Sequence, residues 1–324
     1  MINKAIFLFP GQGAQFPGMA LDLPDISEDA KTVFKTASDI LNRDMISLIR
    51  DSDAETLKKT DVSQITLCAA SLAAAACLKE KGITPKACAG FSLGEYPALT
   101  TAGVISVEDC FRLIDERGRA MQAAIDRIRS RADSGGESSS VPGMAAVIGL
   151  APDQVEALIA EWKSQGLEDL YAANINSPRQ VVVSGSAAAL EEAEKRFKEA
   201  GAKRVMRLQV AGPFHSPFMK EAAETFAQIL DKVAFNNPEI PLFSNVTGKQ
   251  IQSGEEAKAL ASRQIVESVR WTDEEASLAL LQPQALLEAG PGKVLQGLWR
   301  DTGSEVPCYA AGTAVEINEL TTAN

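Results

Sequence analysis

The chain has 324 residues, 45% hydrophobic and 23% charged, which is ordinary globular usage and far from disordered or membrane composition. Its 32 basic and 43 acidic residues leave a net charge of −11, which argues against a phosphate backbone as ligand, so nucleic acid is not an expected partner. The apolar stretch Ala5–Phe9 is too short for a signal-peptide core, and no run of about 18 apolar residues occurs; no membrane association is expected and the reading is cytoplasmic.

A chain of this length favours one large domain carrying a smaller one. A buried strand is predicted over Ala5–Phe9, followed by a glycine-rich loop at 10–18 and a helical region. The alanine-rich segment 62–81 reads as a buried helix, and 84–89 as a short core strand running into Gly90. A helix follows at 106–129, and then a Ser/Gly/Pro-rich stretch without periodicity, taken as a flexible linker over 131–142. Beyond it come strand 144–148, helix 153–164, strands 170–175 and 180–184, helix 187–200 and strand 204–210. That order, βαββαβ, predicts a ferredoxin-like unit over 143–210, inserted in a discontinuous α/β domain made of 1–130 and 211–324.

The five cysteines form no CxxC pair and four lie among apolar neighbours, so neither zinc nor a disulfide is implied. His215 is the single histidine, and any imidazole chemistry must run through it. Gly90-Phe91-Ser92-Leu93-Gly94 reads G-x-S-x-G between a short strand and a helix, the context of a nucleophile elbow. A glycine-flanked turn with a helix-capping serine is the plainer alternative. In the elbow reading Ser92 is pushed outward at a helix start, Leu93 N–H faces a developing oxyanion, and Gln12 N–H in the loop Phe9-Pro10-Gly11-Gln12-Gly13 supplies a second donor. That loop has no following Lys-Ser/Thr pair, and Gly290-Pro291-Gly292-Lys293 lacks the spacer between glycines; neither is a phosphate-binding loop. His215, held between Pro213 and Pro217, is the candidate base for Ser92. No acidic orienter stands out for it, leaving a backbone carbonyl or an amide side chain for that task.

At about 100° per residue, Cys110, Leu113, Ile114, Met121 and Ala124 share one helical face, and Arg117 lies in its middle. A guanidinium there needs an anion, either a structural Asp or Glu or the carboxylate of a substrate.

Taken together, the glycine loop, the elbow from Gly90 to Tyr96, the block from Arg117 to Gln122, Asn174 to Pro178 with Val181 to Gly185, Phe214-His215-Ser216, Asn245-Val246 and Glu288 to Leu295 occur in an order that resembles the malonyl-CoA:acyl carrier protein transacylases of fatty-acid and polyketide synthesis. The resemblance covers nearly the whole chain. It implies a hydrolase-like parallel-sheet domain with an inserted ferredoxin-like subdomain. It also implies an S-malonyltransferase with Ser92 as nucleophile, His215 as base and Arg117 on the malonyl carboxylate. By the same resemblance Gln12 and Leu93 form the oxyanion hole, Gln264 accompanies the histidine, and Asn174, Asn176 and Phe214 contribute to substrate binding. Phe214 is similar to the phenylalanine of malonyl-selective polyketide enzymes, where branched-extender enzymes usually carry serine. Two departures are the Phe91 that stands where the family commonly has histidine, and the long segment 133–141.

The expected reaction is ping-pong through a malonyl-Ser92 ester, with malonyl-CoA and acyl carrier protein as partners, no cofactor, no metal and a monomer as the default. Carrier proteins are usually acidic, so Lys203 and Arg204 are the candidate contacts for one. An acyl thioester hydrolase using the same Ser92 and His215 is the alternative enzyme. A noncatalytic carrier-binding module is the reading from another class.

Overall fold

The computed structural model describes residues 4–134 and 141–322. Among these residues eight strands form two sheets: β1 (Ala5–Phe9), β2 (Pro85–Gly90), β3 (Gly143–Ile148), β4 (Leu170–Ser177), β5 (Gln180–Gly185), β6 (Arg204–Arg207), β7 (Ala285–Glu288) and β8 (Cys308–Ala310). The first sheet is parallel in the order β2-β1-β7-β8. Helices cover both of its faces, so β1 is buried along its whole length and reads as the unbroken apolar run Ala-Ile-Phe-Leu-Phe. The second sheet is antiparallel in the order β4-β5-β3-β6. The helices Pro152–Ser164 and Ala187–Glu199 pack on it around Val147, Val155, Val181 and the edge-to-face pair Trp162 and Phe197. This is the expected α/β fold with its βαββαβ unit, and the parallel sheet takes strands from both sides of that unit.

Two expectations need correction. The helix predicted over 106–129 runs from Val107 to Ser134, so residues 131–134 of the expected linker are helical; Arg127 and Arg131 in its last turns both pair with Glu221, at 2.6 and 3.1 Å. Residues 135–140 of that linker lie outside the described residues. The last small-sheet strand ends at Arg207 rather than 210. Leu208 N–H still donates to Met144 O, after which the chain leaves the sheet toward Gly212, packed so closely on Ile125 that a Cβ would sit 2.6 Å from it. As expected, the alanine-rich segment forms a buried helix, Thr60–Glu80, which is long and apolar enough to cross a bilayer yet lies largely buried inside the protein. It packs against the helices Glu28–Leu41 and Val107–Ser134, which explains an apolar surface with no polar side.

The small sheet is tied to the rest by backbone. Val269 N–H donates to Ala173 O at 2.9 Å, and Ile175 N–H donates to Val269 O at 2.8 Å, so edge strand β4 finds its outer partner in the chain that follows Gln264.

Candidate active site

β2 delivers the elbow. It ends at Gly90, Ser92 follows with φ of +50°, and a single tight turn leads into the helix Glu95–Thr101. A Cβ on Gly90 would collide with Gly94 O, and one on Gly94 with Phe9 O, so both flanking positions require glycine. Phe91 N–H bonds Phe9 O at 2.9 Å, pressing the elbow onto the loop that carries Gln12. Ser92 Oγ lies 2.8 Å from His215 Nε2. His215 also has a positive φ, +53°, and stands on the turn by which the chain returns from β6.

His215 Nδ1 is 2.9 Å from Gln264 O and 3.1 Å from Glu267 O. Carbonyl oxygens only accept, so Nδ1 carries the proton and Nε2 keeps its lone pair for the serine hydroxyl. The orienter is therefore backbone. Burial, and next the positive charge of Arg117, push the imidazole pKa down to about 4, which leaves it neutral and able to accept a proton at neutral pH.

Arg117 is only 1% exposed. Its Nη1 donates to Gln64 Oε1 at 2.8 Å and Nη2 to Gln264 Oε1 at 3.0 Å, with Nη2 also 3.4 Å from Ser92 Oγ. The Tyr96 ring lies 5.4 Å from the guanidinium carbon, and Nε has no partner. Among the described residues no carboxylate lies within ion-pair distance of it. The structural carboxylate that was one of two readings is thus replaced by two neutral amides, and burial lowers the pKa of the guanidinium. A desolvated cation with an unused donor, beside a serine hydroxyl, has the chemistry to receive an anionic group.

Ser92, Arg117 and His215 meet in a cavity of about 420 Å³. Gln12, Leu93 and Phe91 line it from the parallel-sheet side, and Asn174 and Asn176 from β4 line it together with Phe214. Gln264 does not line the cavity; it lies behind, buried, and acts on Ser92 and Arg117 from there. Lys203 and Arg204 also lie elsewhere. Lys203 lines a neighbouring cavity of about 450 Å³ with Arg179 and Arg300, which meets the first at Gln180, while Arg204 is exposed on β6.

Residues 6–318 match the family described as acyl transferase domain. The chain is a member of the acyl transferase family. Similar acyl transferases include the malonyl CoA-acyl carrier protein transacylases of Haemophilus influenzae, 37% identical over 98% of both chains, and Bacillus subtilis, 37% identical over 92% of this chain and 90% of that one. Among solved structures, the transacylase of Clostridium perfringens superposes with a TM-score of 0.90 at 31% identity, covering 99% of this chain and 96% of that one. A malonyl-transacylase in complex with its type II PKS acyl-carrier protein superposes with a TM-score of 0.88 at 34% identity, covering 99% and 100%.

Four residues that position the acyl transferase site carried no individual signal in the sequence. Gln64 sits on a helix that is apolar all round, so no break in periodicity marks it. Asn245 joins both ends of the elbow: its Oδ1 accepts from Ser92 N–H at 2.6 Å, and its Nδ2 donates to Gly90 O at 2.7 Å and to Glu274 Oε1 at 2.8 Å. Glu95 and Glu274 look like ordinary acids in the first turns of helices, yet both are buried, and burial raises both carboxyls, that of Glu95 to about 7.

Proposed function

We propose that this acyl transferase moves a malonyl group from malonyl-CoA to the pantetheine thiol of an acyl carrier protein, through an ester on Ser92. One observation carries the reading: the buried Arg117 holds a donor 3.4 Å from the same Ser92 Oγ that His215 Nε2 approaches to 2.8 Å. His215 takes the hydroxyl proton as Ser92 Oγ attacks the thioester carbonyl. The tetrahedral oxygen is received by the backbone N–H groups of Gln12 and Leu93, and the C–S bond breaks with the proton returning from His215 to the departing thiolate. The carrier thiol then enters, gives its proton to His215 and attacks the ester carbonyl, and Ser92 leaves with that proton. Arg117 holds the malonyl carboxylate through both halves, fixing the carbonyl and disfavouring acetyl groups, which have no carboxylate. Asn174, Asn176 and Phe214 shape the space for the acyl chain and its thioester arm.

This route uses side chains and backbone amides alone and invokes no cofactor. The shared description of the relatives favours a thiol over water as second acceptor, so the hydrolase alternative is not the preferred reading. Lys203 and Arg204 are proposed as the local basic contact for the carrier on an enzyme of net charge −11. A monomer and a cytoplasmic location accompany this proposal.

Intact-protein mass after incubation with malonyl-CoA or acetyl-CoA tests it, with Ser92→Ala as control. The expected result is one malonyl adduct, absent from the control and weak with acetyl-CoA. Equal adducts from both donors would remove the clamp, and an adduct that survives in the control would remove the nucleophile.

A further inference from the structure

Glu95 is the first residue of the helix that follows the elbow, and at 1% exposure its carboxylate has no route to solvent. Its Oε2 accepts two hydrogen bonds, from Asn245 N–H at 3.0 Å and from Gln264 Nε2 at 2.8 Å. The Gln264 amide has a donor end and an acceptor end, and the surroundings decide which faces which way. Three acceptors surround Nε2: Glu95 Oε2, Ser92 O at 3.0 Å and Asn245 Oδ1 at 3.4 Å. The opposite end, Oε1, therefore faces Arg117 Nη2 at 3.0 Å. Glu95 offers the closest of the three acceptors and the only one that bears a charge when ionised, so it contributes most to the orientation. A reversed amide would aim an NH2 group at the guanidinium and displace it.

We propose that Glu95 is a positioning residue for acyl selectivity, holding the Gln264 amide with its oxygen on Arg117 so that the guanidinium stays aligned for a carboxylate on the acyl group. This deepens the reading of the site as a malonyl transferase and rests on it. Glu95 touches neither Arg117 nor the cavity directly, and its influence passes through one amide.

The test is the single-turnover acylation rate of Ser92 by malonyl-CoA and by acetyl-CoA in the wild type and in Glu95→Ala, Glu95→Asp and Glu95→Gln. In Glu95→Ala the malonyl rate is expected to fall about tenfold, the worth of a misaligned charged hydrogen bond, with the acetyl rate changed by less than about threefold. Glu95→Gln retains an acceptor oxygen for Gln264 and is expected to recover the malonyl rate to within about threefold. Glu95→Asp keeps the charge but withdraws the acceptor by one methylene; it carries the same expectation as the alanine variant if that variant does not fold. An unchanged malonyl rate, or equal loss of both rates in the folded variants, overturns the role. The malonyl reading has separate controls, because a wild type without preference for malonyl, or Arg117→Ala that leaves the preference intact, sinks it whatever the Glu95 variants do.

Discussion

The two sides of the cavity are built to different standards. On the parallel-sheet side, polar groups next to Ser92 are bonded and enclosed: its N–H and O are taken by Asn245 and Gln264, and Gly90 O by Asn245 as well. On the small-sheet side, Asn174 and Asn176 stand among Met144, Val182 and Leu208, and Asn176 Oδ1 is buried with no partner. Bond making tolerates little displacement, so the side that carries it spends many hydrogen bonds on holding two residues at positive φ. The proposed reaction gives the other side a flexible acyl and thioester arm to receive, for which shape and a few spare polar atoms suffice.

The largest blow to the bonded side is His215→Ala, expected to lower malonyl transfer by about 10²- to 10⁴-fold, the usual worth of a positioned base, measured by carrier malonylation kinetics. Arg117→Ala comes next. It should cost about ten- to a hundredfold with malonyl-CoA, since a charged hydrogen bond is lost, and leave the acetyl-CoA rate nearly unchanged. Equal losses would mean that Arg117 belongs to the scaffold and not to recognition.

A pH profile sharpens the contrast without mutation. Protonation of His215 removes the acceptor for the serine proton, so kcat/KM falls as pH drops through the histidine pKa. Burial and Arg117 place that value near 4 instead of 6.5, so the rate should hold through pH 6 and decline only well below it. An acid limb centred near the ordinary imidazole value would show a site wetter than described.

The smallest effect belongs to the outer surface. Reversing charge at Lys203 and Arg204 together should raise the KM for carrier protein a few-fold, leave acylation by malonyl-CoA untouched, and fade as salt is added. Carrier kinetics that do not change would move the docking contact elsewhere, with Arg179 and Arg300 beside Lys203 as the neighbouring cations.

Most of this architecture was legible because backbone periodicity and glycine placement are local properties. The run Ala5–Phe9, the βαββαβ alternation and the two glycines of the elbow each write their structure into adjacent residues. The lone histidine and the arginine on an apolar helical face were legible by exception, each out of place for its surroundings. Gln64 and Glu274 were not, and Glu95 and Asn245 stood only inside blocks of the family resemblance with no role of their own, because their burial depends on partners far along the chain: Asn245 reaches back 155 residues to Gly90 O and 150 to Glu95. The ends of the long helix and of β6 were misplaced for a related reason. Arg127 and Arg131 near the helix end pair with Glu221, and the segment after β6 carries His215 to within 2.8 Å of Ser92, contacts that adjacent residues do not announce.

With one histidine in 324 residues, the enzyme is its own spectroscopic probe. The imidazole has a fixed tautomer, set by two carbonyls on Nδ1, and its other nitrogen sits against the Ser92 hydroxyl. A nitrogen-15 histidine label therefore yields one ring spin system, with no assignment problem and no background. Its shifts would follow the proposed base through the free enzyme, the acyl-enzyme and each variant in turn, and a reagent selective for imidazole would titrate active sites by a single covalent event.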